Sequence, residues 1–168
     1  NGTGVNFVSG KNLVGLGLFL NCVFVGGSGL AVVEANPDVF SSGANLQMVN
    51  NTIVGFTDAL RLSSNRGNHL LFKNNILHNN KNDVTGNVSG WSGTYTYNMT
   101  NSTQKQLTTT LNASGTNFVG TATFLNADFD DYHLLASSPG IDAGDPADGP
   151  KSEPSPNGPS RSTVGGTR

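Results

Sequence analysis

Cysteine is nearly missing from this chain. Cys22 stands alone among 168 residues, so no disulfide can close within the chain and no cysteine-based metal site can assemble. Its nearest charged neighbour in sequence is Lys11, which gives no reason for a reactive thiolate, and a packed, buried thiol is expected. Charge is also scarce. Only 12% of residues are Asp, Glu, Lys or Arg and the net charge is −2, against about a quarter charged in an ordinary domain. That excludes the basic surface a nucleic-acid partner requires. No apolar run approaches the roughly 18 residues of a membrane-spanning helix, so no membrane insertion is expected. No stretch carries helical apolar periodicity over two or three turns, so a helical fold is excluded too. His69, His78 and His133 lack the spacing of a zinc motif. Gly26-Gly-Ser-Gly29 reads as a turn rather than a phosphate loop, and no nucleophile elbow is present.

What the chain has in abundance is Gly (22 residues) and Asn, with short runs of strand formers between them. Three segments overlay: Leu18-Phe-Leu-Asn-Cys-Val-Phe24, Gln47-Met-Val-Asn-Asn-Thr-Ile53 and Leu71-Phe-Lys-Asn-Asn-Ile-Leu77. Asn21, Asn50 and Asn74 align, 29 and 24 residues apart, with Cys22, Asn51 and Asn75 beside them. An irregular repeat of this length, rich in β formers, signals a solenoid. A parallel β-helix explains the Asn. Its windings stack at the strand spacing of about 4.8 Å, so like residues lie over one another. Buried amides then bond along the stack instead of remaining costly orphans. Asn also accepts the left-handed backbone of a tight corner.

The chain reads as one domain in three parts. Residues 1–85 are β-helix coils, 86–123 an irregular, extended side segment that continues the solenoid, and 124–168 a closing segment and Pro/Gly-rich tail. In the second strand of the repeat, Leu60 and Leu62 should point inward and Arg61 outward. The chain begins in mid-pattern without Met, so an N-terminal truncation is expected. The open end calls for missing N-terminal coils, a covering loop or self-association.

Val49-Asn-Asn-Thr-Ile-Val54 and Phe72-Lys-Asn-Asn-Ile-Leu-His-Asn-Asn80 resemble the coils of right-handed parallel β-helix proteins of the pectate-lyase-like superfamily. Asp131-Tyr-His-Leu134 and Ser138-Pro-Gly-Ile-Asp-Ala-Gly144 are similar to the ending common in secreted bacterial members. Ser160-Arg-Ser-Thr-Val-Gly-Gly-Thr167 is similar to the last motif of that ending but lacks its Asp and Ala. The resemblance implies an all-β, right-handed parallel β-helix in a secreted or cell-surface bacterial protein. It says little of activity, because the fold hosts lyases, hydrolases, epimerases and binding proteins.

A lyase of this fold needs a base, and a cation to neutralise a uronate carboxylate. Arg61, Lys73 and Glu34 are the catalytic candidates, with Arg66, His69 and His78 behind them. Glu34 and Arg61 occupy equivalent strands of adjacent coils, which suits a lateral groove and equally suits an ordinary surface ion pair. Calcium is the one cofactor the sequence admits. Asp142, Asp145 and Asp148 are weak ligand candidates, as are Glu34 and Asp58. Asp142 also reads as a turn residue. Asp128, Asp130 and Asp131 read as structural. Trp91, Tyr95 and Tyr97 lie in an apparently exposed segment and could stack on sugar rings, or pack on the solenoid side. Three functions follow: a non-catalytic, carbohydrate-associated region that meets polysaccharide, a polysaccharide lyase, or a trimeric phage or viral receptor-binding β-helix.

Overall fold

The computed structural model describes residues 5–7, 16–26, 31–35, 45–63, 68–87, 91–101, 112–113 and 116–148. After β1 (Val5–Phe7) the chain runs through β2 (Leu16–Leu20), β3 (Val23–Val25) and β4 (Ala31–Ala35). It repeats the passage as β5 (Asn45–Val49), β6 (Thr52–Val54) and β7 (Asp58–Ser63), and again as β8 (Asn68–Lys73), β9 (Ile76–His78) and β10 (Asn82–Asn87). Then follow β11 (Trp91–Thr96), β12 (Met99–Thr100), β13 (Asn112–Ala113) and β14 (Phe118–Val119). A hairpin of β15 (Phe124–Asn126) and β16 (Asp131–Leu134) comes last, joined through a 3₁₀ turn at Ala127–Phe129. The described residues contain no α-helix.

The strands sort into three parallel sheets and the hairpin. The first sheet runs β13-β11-β8-β5-β2, the second β14-β12-β9-β6-β3 and the third β1-β4-β7-β10. The three passages β2–β4, β5–β7 and β8–β10 each visit the first, second and third sheet in that order. Register is kept from passage to passage. Phe19 pairs with Met48, Met48 with Phe72, and Phe72 with Tyr95. Phe24, Ile53, Leu77 and Thr100 form a second column, and Val33, Leu60 and Val84 a third. A one-residue slip would turn each column outward, so burial fixes the register.

Alternation inside the strands builds the core. Leu46, Met48, Ile53, Leu60, Leu62, Leu70 and Phe72 are fully buried in one cluster, while Arg61 faces out. Each such side chain contributes about 1.5–3 kcal/mol by leaving water. The Phe72 and Tyr95 rings stack at 5.1 Å and 3°, close to the strand spacing that sets them one above the other. Gly93, opposite Leu70, has φ +130° and lies so close to the Leu70 carbonyl that a Cβ would collide with it.

Residues 91–100 depart from the exposed side segment expected there. β11 and β12 are full members of the first and second sheets, and Trp91 and Tyr95 are buried in the core cluster. The polar Gly-Ser-Thr spacing between the aromatics hid an ordinary in-out alternation. A second cluster lies on the outer side of the second sheet. There Ile76 and Met99 are covered by Ala122 and Leu134, with Phe124 and Ile141 packed against them. Leu134 and Ile141 of the closing segment thus pack against this side of the second sheet. The tail beyond residue 148 lies outside the described residues.

Candidate functional site

Two Asn columns turn the corner between first and second sheets, and they divide the labour. Asn21, Asn50 and Asn74 hold left-handed backbone, with φ of 53°, 58° and 57°. Tyr97 takes the same place in the next passage, at φ 55°. The hydrogen-bonded column is made by the residue that follows. Asn75 Oδ1 accepts from the backbone N–H and the Nδ2 of Asn51, each at 3.0 Å. Asn98 Oδ1 accepts in the same way from Asn75, at 2.9 and 3.0 Å, and Asn117 Oδ1 from Asn98. Each Nδ2 also donates backward to a carbonyl: Asn51 to Phe19, Asn75 to Met48, Asn98 to Phe72, Asn117 to Tyr95. The ladder expectation for Asn74 is corrected here, because its Oδ1 accepts from the Asp145 N–H and its Nδ2 lies 3.5 Å from Asp148 Oδ2. Asn51 and Asn75 do stack as expected. Cys22 stands at the first rung, where its N–H donates to Asn51 Oδ1. Its thiol is half-buried rather than buried, and Sγ contacts the Leu20 carbonyl at 3.2 Å.

Asn98 and Asn117 were missed in the sequence, although they continue Asn75 at intervals of 23 and 19 residues. The pattern of an αL residue followed by Asn was the signal, and Tyr97 disguised it. Asn80 is a further missed rung at the next corner. It accepts from the Phe56 N–H at 2.9 Å and donates to the Ile53 carbonyl at 2.9 Å.

The catalytic candidates do not share one sheet. Arg61 lies in the third sheet and Lys73 ends β8 in the first. Glu34 and Arg61 are paired in register, as expected, between Asn6 and Thr85, but the Glu34 side chain lies outside the described residues. The Arg61 guanidinium turns to Asp58, with Nη2 at 2.8 Å and Nε at 3.0 Å from Oδ2. Asp58 is buried, and its other oxygen accepts from Asn82 Nδ2 at 2.8 Å. This removes Asp58 as a calcium ligand. Arg66 lies outside the described residues, and His69 is exposed at the start of β8. His78 packs against Phe124 at 5.1 Å, and burial lowers its pKa, which keeps the imidazole neutral.

Lys73 is the best-placed cation, and the closing segment claims it. Its Nζ lies 2.6 Å from Asp145 Oδ2 and 2.7 Å from Asp148 Oδ2. The Asp145 N–H donates to Asn74 Oδ1 at 2.9 Å. Burial by itself would lower the Lys73 pKa, but hydrogen bonds to both carboxylates and their charges outweigh it and hold the ammonium above its ordinary value. Asp145 is held below the usual carboxylate range, first by its bond to Lys73 and then by the Ala147 N–H. The proposed calcium triad of Asp142, Asp145 and Asp148 is therefore corrected: two of its carboxylates share an ammonium. Asp142 instead forms an exposed turn with φ 57°. Among the described residues no three His, Cys, Asp or Glu side chains group to hold a metal. Trp91 and Tyr95 cannot stack on sugar because they are buried. Burial, and then the charge of Asp83, push the Tyr95 phenol well above its ordinary pKa. Tyr97 alone of the three aromatics is half-exposed, with its ring centroid 6.0 Å from Lys73 Nζ.

Asp131 accepts from the His133 N–H at 3.1 Å and meets its Nδ1 at 2.5 Å, on the side of β16 opposite the buried Tyr132 and Leu134. Hydrogen bonds from the His133 ring and then its backbone lower the Asp131 pKa. This is a local turn lock rather than part of a carboxylate pair. Comparison with protein-family models, curated proteins and solved structures finds no match for the chain.

Proposed function

We propose that this chain is a right-handed parallel β-helix of the pectate-lyase-like kind, serving as a non-catalytic, carbohydrate-associated region of a secreted or surface bacterial protein. Three parallel sheets visited in constant order, with amides stacked at a corner, support the winding. One observation carries the non-catalytic reading. Lys73 is committed to Asp145 and Asp148, and Arg61 to Asp58, so the strongest cations already neutralise carboxylates of their own chain. A uronate would have to displace those partners at a cost in buried, unpaired charge. The carbohydrate association is supported by the resembling motifs.

The lyase reading keeps one observation in its favour, the register of Glu34 with Arg61 on adjacent strands of the third sheet. Incubation with uronate polymers, with and without calcium, separates the two. The expected result is no ultraviolet signal from an unsaturated product. Steady product formation that Arg61→Ala abolishes would establish the lyase reading instead.

A further inference from the structure

One titratable side chain lies beneath the closing hairpin. Leu77 stands in the inward column with Phe24, Ile53 and Thr100, so its neighbours Ile76 and His78 face the outer side of the second sheet. Ile76 is buried there with Ala122 and Leu134, and Phe124 of β15 packs against the same cluster. Phe124 also meets the His78 ring edge to face, at 5.1 Å and 82°. Tyr132 of β16 backs Phe124 in the same manner, at 5.2 Å and 83°. His78 is thus a polar member of an otherwise apolar contact between sheet and hairpin.

The His78 Nδ1 is buried and makes no hydrogen bond. A neutral ring tolerates this by carrying its one proton on Nε2 and leaving a lone pair at Nδ1. A charged ring has a proton on both nitrogens, and Nδ1 then becomes a buried donor with no acceptor. Burial is the cause of the lowered His78 pKa, and no charged neighbour contributes to it. The surrounding elements agree with that. β6 presents Val54 in register with His78, β12 continues the sheet with Met99 and Thr100, and the hairpin presents Phe124 with Tyr132 behind it. Asp131 and His133 lie on the other side of β16. Asp128 and Asp130 are exposed at the hairpin tip, and Lys81 is exposed beyond the next corner.

We propose that His78 is a pH-sensitive latch: the hairpin sits on the second sheet while the ring is neutral, and lifts from Ile76 and Met99 when the ring takes its second proton. Lifting gives Nδ1 access to water and uncovers an apolar stretch of the sheet. The folded pKa lies below the ordinary value of about 6.5. Docking is therefore undisturbed above that value and weakens as pH falls from it through the folded value. The other ties of the closing segment hold over this range. Asp145 is kept below the usual carboxylate range and stays ionised against Lys73. A charge on His133 would draw it closer to Asp131 and tighten that turn. The inference stands on the packing of one ring, independently of the non-catalytic reading above.

Amide hydrogen exchange between about pH 7 and about pH 5, the range in which His titrates, tests the latch. The Leu135 N–H bonds the Thr123 carbonyl at 2.9 Å and reports on the hairpin, because a two-stranded hairpin lifted from its sheet is marginal in water. The Asn75 N–H, bonded to Asn98 Oδ1 inside the coil, is the reference that removes the pH dependence of chemical exchange. Protection of Leu135 relative to Asn75 is expected to fall severalfold on acidification in wild type. It should stay level in His78→Phe, which cannot take a proton, and in His78→Gln, a second neutral variant should the larger ring disturb the packing. Circular dichroism checks that each variant stays folded. His133→Gln should keep the wild-type response. A wild-type ratio that does not change with pH would overturn the proposal. So would an equal fall in both His78 variants, or a fall that His133→Gln removes.

Discussion

Removing one rung from the middle of the Asn column is the most direct test of what holds these strands in register. Asn75 is fully buried and makes four side-chain bonds: two accepted from Asn51, one donated to the Met48 carbonyl and one to Asn98 Oδ1. Asn75→Ala leaves the buried Asn51 N–H without this acceptor, at about 1–3 kcal/mol for a stranded donor. Loss of the two donated bonds adds about 0.5–1.5 kcal/mol each. The expected cost is about 2–6 kcal/mol, a large part of a typical net stability of about 5–15 kcal/mol. Asn50→Ala is the control. It sits one corner position away in left-handed backbone at φ 58°, and should cost only about 1–2 kcal/mol, the penalty for an ordinary L-residue there. Denaturant unfolding gives both values from the midpoint shift, provided the slope is unchanged. The reasoning fails if Asn75→Ala costs no more than Asn50→Ala.

Tyr97→Asn restores the corner residue that earlier passages use, and should raise stability by about 0.5–1 kcal/mol, read as a higher midpoint; a fall would show that the Tyr97 ring matters more than its backbone. Gly93→Ala drives a Cβ into the Leu70 carbonyl at φ +130° and should cost at least about 2–3 kcal/mol, measured in the same unfolding assay. The Lys73 clamp should define a pH window. Asp145 has a lowered folded pKa, so its contribution is present above the ordinary Asp value of about 3.9 and is lost as pH falls through the folded value. Lys73 has a raised folded pKa, so its contribution is complete below 10.5 and is lost as pH rises through the folded value. Amide protection at Asp145, whose N–H bonds Asn74, should fall at both limits and be low throughout in Lys73→Met. Protection in that variant equal to wild type would remove the clamp from the account.

The all-β character and the strand positions were legible because local periodicity encodes them. Leu60 and Leu62 alternate with Arg61, and Asn-Asn pairs break the runs at the corners, and both patterns survive in the three-dimensional arrangement. The Asn repeats at 50–51 and 74–75 also announced stacked amides, although not which Asn of each pair would stack. That choice depends on which residue takes positive φ, a property of the closed corner rather than of the residue type. Tyr97 shows the limit, since nothing in a Tyr signals left-handed backbone and its presence hid the rung at Asn98. Trp91 and Tyr95 looked like a surface platform because their neighbours are small and polar, yet pairing with Asn68 and Phe72 turns both inward.

Charge was where sequence reached least far. Lys73 and Asp145 are 72 residues apart, and Asp148 is 75 away, so no local pattern could join them. Their meeting depends on the closing segment folding back across Ile76 and Met99. The sequence alone determined that short strands would alternate with Asn corners, because period-two burial and left-handed tolerance are written within a few residues of each position. Only the tertiary structure decided which amides bond, which aromatics are buried and which cations are already spent, because each of those outcomes belongs to partners that the chain brings together across distant passages.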